Sequence, residues 1–544
     1  MRASIKTILL LLLLFGSMAF GQLSPADSVI EGNITSNAFL TNSKRYLLRG
    51  FVNINSPAVL TIQAGTIIYG EKSSKGTLIV NRGAKLIADG TQNQPITFTS
   101  QQAQNLRSPG DWGGIIIAGF ATINVPGGTA VIEGGTGTVY GGGATHNDDD
   151  NSGILRYVRI EYPGIAFLPD NEINGLTMGG VGRGTTIEYI QVNYSGDDSY
   201  EFFGGTVNAK YLIACNAVDD DFDTDFGFRG KIQFGFVSRN LNIADISGSN
   251  GFESDNDGTG TFNSPRTQPW FSNITVVGPM SDTSSVVNPN YRRGAHLRRA
   301  TQTSIYNSIV MGYPVGLLID GANSANSASG DTLQIRNSIW AGLRVGNGLT
   351  TNASGFDVNT WFNNAAYGNK TYVQSSEVGL TDPFNLTNPN PVPTPYSPAV
   401  SGASFTNARL QDIFFTTTTY VGAFSPTGTR WDATWTNYNP DSTDYVTGVE
   451  TNAGLTPTEF KLEQNYPNPF NPSTLITYSL PNSGNVSIKI YDVIGREVAE
   501  LVNDYQSAGK YVISFNASAL SSGVYFYRLI SGSFTSTKKM NLLR

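Results

Sequence analysis

The chain has 544 residues, a formal net charge of −7 and only 14 % charged residues, with 60 glycines, 29 phenylalanines, 25 tyrosines and a single cysteine, Cys215. The acidic balance argues against nucleic acid as a partner, and one cysteine excludes an internal disulfide. Low charge with abundant Gly, Asn, Ser and Thr predicts an all-β chain rich in turns, long enough for two or three domains.

Residues 1–21 read as a secretory signal peptide. Arg2 and Lys6 supply the positive start, residues 8–15 form an apolar run too short to span a bilayer, and Ala19 and Gly21 precede an expected cut before Gln22. No later stretch is long and apolar enough to cross a membrane, so the mature chain is expected to be soluble, with no transmembrane segment.

Residues 22–382 repeat themselves. Ile62-Gln63-Ala64-Gly65, followed by Ile67-Ile68-Tyr69-Gly70, returns 18 residues on as Val80-Asn81-Arg82-Gly83, then Leu86-Ile87-Ala88. Tyr157-Val158-Arg159-Ile160 is matched by Tyr189-Ile190-Gln191-Val192 and more loosely by Tyr211-Leu212-Ile213-Ala214. Phe271-x-Asn273 returns as Ile305-x-Asn307 and Ile335-x-Asn337, each followed by a glycine: Gly278, Gly312 and Gly342. Short β-type runs and Gly/Asn turns at periods of roughly 18–34 residues predict a solenoid, in which a coil buries its inward side chains only by stacking on its neighbours. A parallel β-helix is favoured, with the amides of Asn273, Asn307 and Asn337 stacking from coil to coil; a pair of β-sandwiches is the alternative. Residues 58–100, in their Gly-Thr-Ile-Ile-Tyr-Gly and Asn-Arg-Gly-Ala-Lys-Leu segments, resemble β-helix surface proteins. That resemblance implies fold and is nearly silent on activity.

Residues 383–447 change character. Asn388-Pro389-Asn390-Pro391-Val392-Pro393 is extended and Pro-rich, so no regular coil runs through it. The region reads as the terminal, capping part of the β-helix, with Trp431 and Trp435 placed to cover an open end. Residues 448–458 read as a linker.

Residues 459–544 alternate with period two in short runs separated by turns such as Pro481-Asn482-Ser483-Gly484 and Ile494-Gly495-Arg496, the pattern of a small immunoglobulin-like β-sandwich. The domain opens on Asn465-Tyr466-Pro467-Asn468-Pro469-Phe470-Asn471-Pro472, continues through Gly495-Arg496 and Gly523-Val524-Tyr525, and ends on Lys538-Lys539 and a final Arg544. In these features it resembles the C-terminal sorting domain of the type IX secretion system. The resemblance implies recognition by that machinery through Asn465, Pro467, Pro469, Phe470, Gly495, Arg496, Gly523, Tyr525, Lys538 and Lys539, and a final location outside the cell or on its outer surface. The fold class is thus all-β: a parallel β-helix body followed by a small Ig-like sandwich.

The chemistry concentrates in a few charged clusters. In Asp219-Asp220-Asp221-Phe222-Asp223-Thr224-Asp225 the carboxylates of Asp221, Asp223 and Asp225 share one face of an extended chain. Such repulsion is relieved by a cation, and hard oxygen ligands suit Ca²⁺. It is no EF-hand loop, since Phe226 and Ile232 stand where the turn glycine and the bidentate glutamate belong. Similar patches occur at residues 148–153 and at Glu253-Ser254-Asp255-Asn256-Asp257, making Asp255 and Asp257 further candidate ligands. Solvated acidic turns are the plainer reading of all three. Arg292, Arg293, His296, Arg298 and Arg299 form a basic cluster that pairs naturally with the acidic runs. The alternative is a cleft for acidic sugars in which Asp223, Arg229, Arg293 and His296 do catalysis beside Ca²⁺, as a polysaccharide lyase requires. Asp197-Asp198 with Glu201 is the corresponding pair for a glycoside hydrolase. Tyr162, Tyr194 and Tyr200 are candidates for stacking on sugar rings. With His146 and His296 the only histidines, His-based zinc sites are poorly supported. Non-enzymatic adhesion or glycan binding is favoured over a Ca²⁺-dependent lyase or hydrolase.

Overall fold

The computed structural model describes residues 26–168, 171–344, 348–445, 459–465, 468–482, 484–506, 509–518 and 520–543. The expected signal peptide, the 448–458 linker, Pro467 and Arg544 lie outside them. The chain divides into two compact units, Met1–Thr443 and Asp444–Arg544.

In the first unit, 26 strands among the described residues pair into one continuous sheet, and the pairings along the coil axis are parallel. Each coil has three faces. The first contains Gly114–Ala118, Leu176–Gly179, Tyr200–Phe203, Phe222–Asp225, Asn250–Ser254, Arg293–Leu297 and Val315–Ile319. The second and third are the two halves of long strands such as Thr186–Asn193, Asn208–Cys215 and Lys231–Ser238. Side chains alternate across the sheet: Leu212 and Ala214 point into the central core, while Ile213 and Cys215 face outward into a second one.

The long strands bend because one residue in each takes the left-handed conformation. Tyr157, Tyr189, Tyr211 and Phe234 do so at φ of 49°, 56°, 61° and 63°, and Asn273, Asn307 and Asn337 at 56°, 50° and 52°. Such backbone costs about 1–3 kcal/mol at a non-glycine residue. Asparagine tolerates it, whereas an aromatic residue needs compensation, and stacking supplies it. Ring centroids lie 4.4 Å apart for Tyr157–Tyr189, 4.3 Å for Tyr189–Tyr211 and 5.1 Å for Tyr211–Phe234. The repeated Tyr and Asn of the sequence therefore mark one corner of successive coils. The 18-residue echo has a different origin. Val59–Ile62 pairs with Lys85–Asp89, not with Thr77–Val80, so that echo links two different corners, with the 71–76 corner between them.

Among the described residues the corner asparagines make no hydrogen bond to one another. Asn337 donates to the Gly402 carbonyl, Asn307 to that of Ser404, and Asn273 to Thr418 Oγ1 and the Tyr420 and Gly422 carbonyls. What they hold is a strap, residues 397–443, which runs back over the third face. It passes Gln233 and Thr275, then Gln191 and Asn193, and ends where Arg107 grips the carbonyls of Pro440 and Thr443. The expected end cap is thus a lengthwise cover. Trp435, fully buried, meets Tyr157 and Tyr189 edge-on, and Trp431 meets Tyr211. The reason is the outward side of the third face. Ile213, Phe236, Val277, Ile309 and Met311 make it apolar along its length, and Val421, Ala423, Phe424 and Trp435 bury it.

The second unit packs two antiparallel sheets. One comprises Lys461–Leu462, Ser473–Leu480 and Gly509–Asn516; the other Gly484–Tyr491, Glu497–Gln506, Gly523–Ser531 and Phe534–Leu542. Ile476, Tyr478, Ile488, Tyr527, Leu529 and Met540 are in its core. The sorting motif is partly structural. Asn465 donates its backbone N–H to Tyr527 Oη at 2.7 Å, buried Phe470 bonds the Asn541 carbonyl at 2.9 Å, and Tyr525 Oη donates to the Ser521 carbonyl. Gly495, at φ +82°, makes the turn that lets Arg496 bond Asp492. Pro469, Arg496, Gly523 and Lys539 are exposed and Lys538 half-exposed. No helix among the described residues is long and apolar enough to cross a membrane.

Candidate functional site

Parallel stacking converts distant acidic residues into neighbours. On the outward side of the first face, one ladder runs Thr177, Glu201, Asp223, Glu253, His296, Leu318. At the corner just before it, a second ladder runs Asn174, Asp198, Asp220, Asn250. There each side-chain oxygen accepts the backbone N–H of the next coil: Asp198 on Asn174 at 3.3 Å, Asp220 on Asp198 at 2.7 Å, Asn250 on Asp220 at 2.5 Å. These bonds explain an acidic residue at a coil corner, but they engage only one oxygen per residue.

Carboxylates of this corner and of the first face converge in an acidic pit. Asp197, Asp198 and Asp219 form one group; Asp198, Glu201 and Asp223 a second; Asp220, Asp223 and Glu253 a third. In each, the carboxylate oxygens lie within 4.8 Å of one another. Burial, reinforced by neighbouring carboxylates, pushes Asp197, Asp198, Glu201, Asp220 and Asp223 well above the usual carboxylate range. Glu133, on the loop packed over this face, is pushed up to about 7 by burial, against a hydrogen bond from Asn174, and Asp219 to about 6. Asp223 retains some exposure, so the pit opens to water.

Positive charge lies behind and beside the pit. Arg239 is fully buried under the corner, its Nε 2.9 Å from Asp221 Oδ2 and its other nitrogens on the carbonyls of Ala217, Asp219 and Asn250. Beside the pit, His296 sits between Glu253 (Nδ1 at 3.2 Å) and Asp320 (Nε2 at 2.8 Å). Arg298 pairs with Glu253 and Asp255, and Arg299 with Asp255 at 2.7 Å. Burial alone would raise Glu253, but the His296 hydrogen bond and Arg298 bring it below its usual value.

The candidate ligands are therefore dispersed. Asp221 faces Arg239, Asp223 is in the pit, and Asp225 lies one step along the first face, where Asp255 and Arg299 act on it. Asp257 is held in its own loop by Thr259 and Thr261. Of the catalytic candidates, Arg229 pairs with Asp148 at 3.1 Å, away from the pit groups, and Arg293 is half-buried, its pKa lowered by burial. His146 is exposed and contacts the Gly143 carbonyl. Tyr162 and Tyr200 are buried and Tyr200 Oη donates to the Ile190 and Ile213 carbonyls, so neither offers a face to sugar; Tyr194 is half-buried against Tyr162. Asp219 and Asp220, together with Asp197 and Asp198, complete a pit whose members come from separate acidic runs that stacking brings together.

The pit residues fit a hard cation. They provide carboxylate oxygens only, and Asp219 Oδ1 and Asp223 Oδ1 are buried without a hydrogen-bond partner among the described residues. So are Thr177 Oγ1, one rung from Glu201, and Asn250 Oδ1.

Coil, strap and sandwich together define a class: a parallel β-helix protein with an exported-type β-sandwich tail. Residues 32–379 match the family described as pectate-lyase like beta helix domain, and the chain belongs to that family. Residues 464–542 match the secretion system C-terminal sorting domain. The tail is thus a type IX sorting domain, which engages the secretion machinery and directs the protein to the cell surface or the extracellular space. Among curated proteins, none matches the chain.

Proposed function

We propose that this is a non-enzymatic, surface-displayed or released glycan-binding protein whose acidic pit holds Ca²⁺ as a structural ion. The observation carrying the non-enzymatic reading is the engagement of the acid–base groups: both His296 nitrogens face carboxylates, and Arg229, Arg298 and Arg299 are each in ion pairs. Asp223 belongs to two of the carboxylate triads, one with Asp198 and Glu201 and one with Asp220 and Glu253, and such all-oxygen groups suit Ca²⁺. One observation favours a lyase: Arg293, its pKa lowered by burial, lies in the field of Glu253 and Asp320. A panel of acidic and neutral polysaccharides, with and without chelator, separates the readings. No new reducing or unsaturated ends are expected; turnover abolished by Arg293→Ala would establish the lyase instead.

The tail carries a second expectation. Deleting residues 456–544 should leave the β-helix folded and retained inside the outer membrane, read by fractionation and immunoblot. Undiminished appearance in the medium or on the cell surface would contradict a sorting role.

A further inference from the structure

The strap creates a groove of its own on the third face. Its volume is about 510 Å³, within the range of small-molecule sites. One wall is the Thr416–Tyr420 stretch; the other is the Phe424–Trp431 stretch; Tyr211 and Phe234 of the corner stack lie between them. Trp431 is half-exposed but not loose. It stacks on Phe424 at 5.1 Å and 9°, and its Nε1 donates to the Ala423 carbonyl. The opposite wall is fixed by Gln233, which exchanges hydrogen bonds with the Thr416 backbone, and by Asn273. Both walls are therefore set before any ligand arrives, which reduces the ordering cost of binding.

The lining has a narrow chemistry. No carboxylate lines it, and its one cation, Arg430, is turned onto Asp432 through two nitrogens. What remains is aromatic rings and hydroxyls. Thr417, Thr419, Thr427 and Thr429 are exposed, and their hydroxyls make no hydrogen bond among the described residues. Rings that accept aliphatic C–H faces, beside free hydroxyls that donate and accept, complement a sugar ring. A charged ligand would find no counter-charge.

We infer that this groove binds a neutral oligosaccharide, with Trp431 as the ring platform, the stacked Tyr211 and Phe234 presenting only their edges, and the strap threonines as hydrogen-bonding partners. The inference rests on the glycan-binding reading and assigns it a site distinct from the acidic pit. Titration calorimetry with cellohexaose, xylohexaose and mannohexaose, with hexagalacturonate as the acidic probe, tests it on the exported full-length protein. At least one neutral hexasaccharide should bind, unaffected by chelator. Trp431→Ala and the surface changes Thr417→Val/Thr429→Val, which leave the packed residues intact, should each weaken it about tenfold. Neutral-sugar binding unchanged in both variants overturns the groove while leaving glycan binding standing. Binding of hexagalacturonate alone overturns the neutral specificity, and no binding by any probe overturns the groove and the glycan reading together.

Discussion

Replacing Arg239 by methionine is expected to cost about 3–5 kcal/mol of stability, the loss seen when one partner of a buried ion pair is removed. Arg239 and Asp221 are both fully buried, and the guanidinium also satisfies the carbonyls of Ala217, Asp219 and Asn250. Without it, a carboxylate and the carbonyls of Ala217 and Asp219 lose their donor in a low-dielectric interior, while the Asn250 carbonyl keeps only the Asp221 N–H at 3.3 Å. Adding Asp221→Leu should recover only part of the loss, because the carbonyls stay unpaired. Urea unfolding of the parent, single and double variants measures this directly, and a single-variant loss below about 1 kcal/mol would mean the corner is held by something else. The same variant should weaken Ca²⁺ binding, since the pinned backbone carries Asp219 and Asp220.

The metal-free protein is expected to melt at progressively lower temperature as pH rises from about 4 to about 7.5. In the unfolded chain the pit carboxylates ionise near pH 4. In the folded chain burial holds Glu133 up to about 7, Asp219 to about 6, and Asp198, Glu201, Asp220 and Asp223 well above the usual range. Between the two values the folded state binds more protons, so stability falls with pH. Carboxylates held low by His296 and the arginines, Glu253 and Asp320 among them, act oppositely and limit stability at the acid end. Calcium should reverse the loss near neutrality and do little near pH 4, where protons occupy the ligands. At a hundred times its Kd it adds about 2.7 kcal/mol. Calorimetric scans across pH with EDTA or CaCl₂ provide the measurement; a metal-free melting temperature that climbs through this window would rule out the pit as described.

The coil architecture was legible because its corners recur in residue type. Tyr157, Tyr189 and Tyr211, then Asn273, Asn307 and Asn337, all occupy the same left-handed bend, the tyrosines tied by ring stacking and the asparagines by their bonds to the strap. The pit was legible only in pieces. Asp221, Asp223 and Asp225 alternate along the chain, but Asp221 precedes the strand Phe222–Asp225 and faces Arg239 at the corner, so strand parity misassigned it. The pit neighbours of Asp223, namely Asp198, Glu201 and Glu253, come from adjacent coils, and one sequence carries no register. The strap was illegible for another reason: it has no period of its own and takes its path from the apolar third face it covers.

That path alters how the molecule holds together. A solenoid whose coils touch only their neighbours is a one-dimensional array, free to fray from either end. Here residues 397–443 join late corners such as Asn337 and Asn307 to Gln191, Asn193 and Arg107 in much earlier coils. The late coils cannot peel away without stripping the strap from coils in the middle. Local opening thereby acquires a long-range cost, and the coils the strap spans are expected to unfold together, a useful property for a protein directed outside the cell beyond the reach of intracellular chaperones.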